Sequence, residues 1–367
     1  MEEKRCFGRL ASLDALRGFD MLFIMGGEAL VCAIAALCGD PAFGRKFGHV
    51  PWHGLQFMDT VFPLFLFMAG VSFPFSAAKS RERGLTDGRI ALKALRRGLT
   101  LVVLGFVCSG LFKLEFATLR AWSVLGRIGL AWMAAAWLYL LFRPRVRVIL
   151  AVVILAAVTL FTIYVPAPGA AGHGPFTPQG NFGCWLDRTL TAGHTYQKLF
   201  DPEGFAGILP AIVTAMLGMF AGEIVRRDGG VATGRKALEL LACGAGCALA
   251  GWGLSYAFPI NKALWSPSFA LVVGGYSFAM FALFYWIVDV RGYRRWAYFF
   301  TVIGVNSITI YMAQRIVRFN DVNNFFLLGL SKQLPAGWGR LLLCVGYIAV
   351  CWLFLWFLHR KNVHLKV

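Results

Sequence analysis

Charged side chains are scarce in this sequence, at 15% of 367 residues, where a soluble domain carries about 25%. With 58% of residues hydrophobic, that shortage excludes a soluble globule and leaves an integral membrane protein. The alternation of apolar and polar residues that builds a membrane barrel is also missing. No Cys-x-x-Cys pair occurs among the nine cysteines, so neither a zinc site nor a disulfide framework is indicated, and no metal site is expected. Cys184 falls in an outside segment and Cys38 ends the first apolar run, and whether they pair across the outer surface is left open. No internal repeat is visible, which weighs against a transporter built from inverted halves. A cleavable signal peptide is not apparent either. The first apolar run is long, is interrupted by Asp20 and Glu28, and reads as a retained anchor helix.

What the chain does have is hydrocarbon-length apolar runs. Ten recur, at about 16–38, 59–78, 98–115, 122–142, 147–166, 205–225, 237–257, 268–289, 297–317 and 338–358. Each holds roughly 20 residues, enough to cross a ~30 Å hydrocarbon core. Backbone polar groups must be paired in lipid, so these runs are expected as helices. The fold class is an all-α integral membrane protein of about ten transmembrane helices, a single domain over residues 1–367.

The cations orient it. With the N-terminus inside and alternate connections assigned to that side, inside segments hold 24 of the 36 lysines and arginines. Seven of them lie between Lys79 and Arg97. This positive-inside bias fits both termini in the cytoplasm. The net charge of +18 therefore reflects topology beside anionic lipid headgroups, and nucleic acid is not an expected partner. Two longer segments fall outside, about 39–58 and 167–204.

The first outside segment concentrates proton-transfer capacity: His49-Val50-Pro51-Trp52-His53-Gly54 leads into Asp59-Thr60-Val61-Phe62-Pro63. Pro51 and Gly54 favour a turn or re-entrant loop. A loop histidine is usually only solvated, Trp52 has an ordinary role as an interfacial anchor, and two histidines without a third ligand make a poor metal site. Charged residues inside spans are costly and mark polar cavities or pathways. Asp20, Glu28 and Arg127 are such residues, with Glu28 the sharpest. Asp201, just before an apolar run, reads as a helix N-cap.

Several blocks, in order, resemble the heparan-α-glucosaminide N-acetyltransferase family and its bacterial relatives. They are Arg9-Leu10-Ala11-Ser12-Leu13-Asp14-Ala15-Leu16-Arg17-Gly18, then His-x-x-Trp-x-Gly at His49, Trp52 and Gly54, followed by Asp59-Thr60-Val61-Phe62-Pro63. Further on come Val124-Leu125-Gly126-Arg127-Ile128, Asp201-Pro202-Glu203-Gly204, Asn261-Lys262-Ala263-Leu264-Trp265 and Gly304-Val305-Asn306-Ser307. Together they run from residue 9 to about 311. The resemblance implies a membrane acyltransferase that moves an acetyl group from cytoplasmic acetyl-CoA to an amino sugar across the membrane. It singles out His49 over His53 as the active-site histidine. As a carboxylate inside a span, Glu28 is a second catalytic candidate, and by the resemblance Trp52, Asp59, Arg127, Asp201, Glu203, Asn261, Lys262, Trp265 and Asn306 are candidates for binding substrate or cofactor.

The sequence also departs from the family. Glu28 stands where relatives carry Asn, and Gly126 where they carry Gln before the arginine. The stretch from Glu28 to His49 is longer, and the large lumenal N-terminal domain of lysosomal members is not in this sequence. The expected partners are the bilayer and a small-molecule or glycan acceptor, with a homodimer left open. The expected location is a bacterial inner membrane. A proton-coupled transporter of sugars or other small solutes is the alternative, resting on the intramembrane carboxylates.

Overall fold

The computed structural model describes residues 10–116, 119–191 and 194–365. The cations Lys4, Arg5, Arg9 and Lys366 lie outside the described residues. As the apolar runs require, the described residues form helices and no strand. In chain order they are α1 (Ala11–Leu22), α2 (Glu28–Leu37), α3 (Pro41–Arg45), α4 (Phe57–Glu82), α5 (Asp87–Cys108), α6 (Val124–Leu141), α7 (Pro144–Tyr164) and α8 (Phe182–Leu190). There follow α9 (Ile208–Arg226), α10 (Gly234–Leu254), α11 (Pro267–Phe284), α12 (Ala297–Val305), α13 (Ser307–Ile316), α14 (Phe319–Gln333) and α15 (Ala336–Arg360).

Among the described residues, eight helices are long and apolar enough to cross a membrane. The sequence shows ten apolar runs, and the two that fall short do so for physical reasons. The run at 98–115 is the apolar half of α5, whose first turns carry Arg89, Lys93, Arg96 and Arg97. The run at 297–317 is broken at Asn306 into α12 and α13, of 9 and 10 residues. The first span is also interrupted. A π-helical stretch at Phe23–Gly27 separates α1 from α2, and Gly26 sits there at φ 119°, a conformation that favours glycine.

Two compact units can be distinguished. A terminal unit comprises Met1–Val50, Gln56–Val61 and Met280–Lys366, and a central unit comprises Pro51–Leu55 and Phe62–Ala279. In the terminal unit α1 packs on α12, because Gly18 faces the Phe300 carbonyl and Gly304 faces the Asp14 carbonyl with no room for a Cβ. Small residues of this kind let helix backbones approach in the membrane.

In the central unit Gly70, Gly218 and Gly222 do the same for α4 against α9. Its buried core is built on Leu66, Trp132, Met216, Trp265 and Phe269. Two helix starts in this unit are capped by side chains. Ser123 Oγ accepts from Gly126 N–H at 3.0 Å to start α6, and Asn181 Oδ1 accepts from Cys184 N–H at 3.1 Å to start α8. At the far end of α9, Lys236 Nζ donates to the Val225, Arg227 and Val231 carbonyls, occupying oxygens left without helical partners. Cys38 and Cys184 are each a free thiol.

Candidate active site

In the terminal unit, α4 opens on the sequence Gln56-Phe57-Met58-Asp59. Asp59 is buried at 1% exposure and reaches back over the helix start. Its Oδ2 accepts from Gln56 N–H at 3.0 Å and from Val50 N–H at 3.3 Å, the acidic half of a capping box. Its Oδ1 accepts from His49 Nδ1–H at 2.7 Å. An ionised carboxylate only accepts, so the proton of neutral His49 stays on Nδ1 and Nε2 is left as the basic nitrogen. The His49 side chain itself is 53% exposed.

Glu28 begins α2, immediately after the break at Gly26. A Cβ placed on Gly48 would lie 3.7 Å from Glu28 Oε1 and 3.6 Å from Gln56 Oε1, so both side chains border the backbone that leads into His49. Asn306 lies at the α12–α13 break, 1% exposed. Its Oδ1 accepts from His364 Nδ1–H at 3.2 Å, while its Nδ2 has no hydrogen-bond partner among the described residues.

The central unit holds the other candidates. The Trp52 indole N–H donates to the Phe176 carbonyl at 2.8 Å and its ring meets Phe200 edge-on at 4.7 Å. Asn261 is fully buried. Its Oδ1 accepts from Leu264 N–H at 2.9 Å, which orients the amide so that Nδ2 donates to His53 Nδ1 at 3.3 Å. The proton of His53 is thereby placed on Nε2, the opposite tautomer to His49. Burial lowers the His53 pKa and keeps the ring neutral. The turn that Asn261 opens carries half-buried Lys262 and buried Trp265, whose backbone sits at φ 48°. The Trp265 indole donates to Thr214 Oγ1 at 3.1 Å.

Arg127, in the first turn of α6, is 2% exposed. Its guanidinium lies 5.2 Å from the Trp265 ring centroid, a cation–π distance. Its Nη2 donates to the Gly204 carbonyl at 2.7 Å, and its Nε and Nη1 have no hydrogen-bond partner among the described residues. Glu203, Asp187 and Asp201 supply the surrounding negative charge.

Asp201 is not a helix cap, contrary to the sequence expectation. Its two oxygens take Arg120 Nε at 3.0 Å and Nη2 at 2.5 Å, and they also accept from Tyr196 N–H and Glu203 N–H. Glu203 binds the same Arg120 nitrogen. The fork of a guanidinium matches a carboxylate better than an isolated helix end does, and α9 starts without a side-chain cap. Burial works against the Arg120 charge, but its two carboxylate partners outweigh it and hold the pKa above the ordinary arginine value.

Two residues of this cluster, Arg120 and Asp187, were not marked by the sequence. Their partners lie far along the chain, 81 residues in the case of Arg120 and Asp201, and neither belongs to a local motif. Asp187 accepts from Phe205 N–H at 2.7 Å. Burial pushes its pKa up to about 6, against the opposing pull of the Phe205 N–H and Arg127. Gly204 is needed beside it, because a Cβ there would overlap the Asp187 carboxylate.

A family model described as "Heparan-alpha-glucosaminide N-acetyltransferase, catalytic" matches residues 9–251. The chain belongs to this family. Human heparan-alpha-glucosaminide N-acetyltransferase is 28% identical over 368 aligned residues, covering 84% of this chain and 53% of the relative. The mouse protein of the same name is 28% identical over 371, covering 84% and 54%. The chain thus spans about half the length of the curated relatives it matches. The region matched by the family model holds Glu28, His49, Trp52, Asp59, Arg127, Asp201 and Glu203, while Asn261, Lys262, Trp265 and Asn306 lie beyond it.

Proposed function

We propose that this protein is a transmembrane N-acetyltransferase that transfers acetyl from acetyl-CoA to the amine of an amino sugar. The observation that carries the reading is the His49–Asp59 pair, which fixes a basic Nε2 on an exposed imidazole in a member of this family. An amine attacks a carbonyl only through its free lone pair, and a positioned imidazole nitrogen takes the proton lost on attack.

Acetyl-CoA, when bound, supplies the thioester carbonyl. The acceptor nitrogen forms a C–N bond to that carbon, the C–S bond breaks, and the amine proton passes to His49 and on to the departing thiolate. Asp59 holds the imidazole in the productive tautomer and stabilises its protonated form. Glu28 borders the approach to His49 and is assigned to proton handling there.

The central unit supplies binding groups. The unpartnered Nε and Nη1 of Arg127 fit an acceptor oxygen of the donor, and Trp265 holds the guanidinium from one face. In the terminal unit Asn306 Nδ2 is a second buried donor without a protein acceptor among the described residues. CoA phosphates fit the exposed cations Arg83, Arg89, Lys93 and Arg96. Trp52, Asn261 and Lys262 are assigned to the sugar, and Asp201 and Glu203 hold Arg120 in place. The positive-inside charge bias supports the His49 segment on the outer side and the donor phosphates on the inner side. A bacterial inner membrane suits this arrangement.

The experiment is acetyl transfer by the purified full chain, with acetyl-CoA and glucosamine as substrates. Formation of N-acetylglucosamine, and a fall of about 100-fold or more in His49→Ala with folding retained, is the expected result. Undiminished transfer by the variant would remove His49 from the chemistry.

A further inference from the structure

Beside α8 the central unit contains a cavity of about 550 Å3, within the size range of small-molecule sites. Val158 and Phe161 of α7, Leu209 and Ile212 of α9, and one face of α8 form its walls. Its lining is mostly apolar, with Thr162, Asn181, Cys184 and Asp187 as the polar side chains. Asn181 uses both halves of its amide, Oδ1 on Cys184 N–H and Nδ2 on the Pro175 carbonyl at 2.9 Å. Asp187 accepts the Phe205 N–H, and burial pushes the Cys184 thiol up to about 12, so it stays neutral. A free sugar lodged here would bury most of its hydroxyls against apolar walls, whereas a hydrocarbon chain would bury nothing that needs a partner.

The rim points to the source of that chain. Of the eight candidate spans, α7 is the least enclosed, with 17% of its most apolar window buried. Phe161 and Leu209, at the cavity edge, are each about half exposed. Two walls of the cavity are the ends of candidate spans, which sets its mouth beside the lipid in the proposed arrangement. A short path also joins the cavity to the candidate site within this unit. Phe258 lines it and lies 4.7 Å from the Phe176 ring, and the Phe176 carbonyl holds the Trp52 indole. Trp52 follows His49 by three residues in the chain.

We infer that the cavity takes the hydrocarbon chain of a lipid-borne acceptor, so that the amino sugar acetylated here is carried on a membrane lipid. This rests on the acetyl-transfer reading above and specifies its acceptor as an amphiphile, with an amino-sugar head toward the Trp52–His53 segment and its chain between α7, α8 and α9. The bonds made and broken are those already described.

The test compares methyl and dodecyl β-glucosaminide as acceptors, with the full chain in nanodiscs of uncharged lipid. Wild type is expected to show a kcat/KM at least tenfold higher for the dodecyl compound. Val158→Trp, which fills the cavity from the lipid-exposed helix, is expected to abolish that preference and leave the methyl rate unchanged. A ratio near one in wild type, or a preference that survives Val158→Trp, would overturn the inference. Transfer to neither acceptor would instead remove the acetyl-transfer reading, and the chain site would then stand or fall on photolabelling. A diazirine on the dodecyl chain should mark residues 157–162 in wild type and not in Val158→Trp. Absence of that mark, or marking by a diazirine phosphatidylcholine that dodecyl glucosaminide does not displace, would overturn the site.

Discussion

Replacing Asp59 with asparagine leaves no orientation of the new amide that serves both His49 and the helix. With its oxygen toward His49, the NH2 group meets the donating N–H groups of Gln56 and Val50. With the amide turned round, it donates to Nδ1 and moves the histidine proton to Nε2, where the base is needed. We therefore expect Asp59→Asn to lower acetyl transfer by about 100-fold or more at every pH, the cost of a wrong tautomer, as read from initial rates between pH 5 and 9. A rate within a fewfold of wild type would show that the pair is only a helix cap.

Asp187 makes a prediction of the opposite kind, about stability. Its folded pKa of about 6 lies above the ordinary aspartate value near 3.8, so the native state binds the proton more tightly than the unfolded chain. Stability from this group is present below pH 4 and is lost as pH rises from about 4 to 6, then changes no further. Asp187→Asn should flatten that slope, measured as thermal midpoint against pH in detergent. An unchanged slope would place the titration elsewhere.

At the scale of elements, glycines decide which helices touch. Gly304 meets the Asp14 carbonyl where α12 crosses α1, and any side chain there collides with backbone that has nowhere to move. Gly304→Val is expected to cost about 2 kcal/mol or more, typical of overpacking, seen as a lowered thermal midpoint. Gly329→Val, at a position open to space, is the control expected to change little. The same scale shows what was legible in the sequence. The spans α4, α6, α7, α9, α10 and α15 were visible as unbroken apolar runs, because in lipid the backbone must satisfy itself within one segment.

The break at Asn306 was not visible, since the residues before it are strongly apolar and the run continues past it. Nor was α14, whose one apolar stretch, 325–330, is far short of hydrocarbon length. At the candidate site, His49 and Asp59, ten positions apart, were marked by a local pattern that the family resemblance picks out. The Arg120–Asp201–Glu203 cluster was not, because ion pairing ignores chain distance, and the local rule that made Asp201 a cap lost to a guanidinium. His53, passed over in favour of His49 by the family resemblance, is held in a defined tautomer by Asn261, 208 residues away, a contact no local pattern reveals.

At the scale of the whole molecule, the proposed reaction needs two faces. The donor phosphates are assigned to the cations between residues 79 and 97, and the acceptor is assigned to the opposite face of the membrane. The measurement that tests this most directly uses proteoliposomes with acetyl-CoA sealed on one side and a membrane-impermeant amino sugar on the other. The account predicts N-acetylated product formed across the sealed membrane by wild type and not by His49→Ala. Product formed only when donor and acceptor share one side, or formed equally well by His49→Ala, would contradict it.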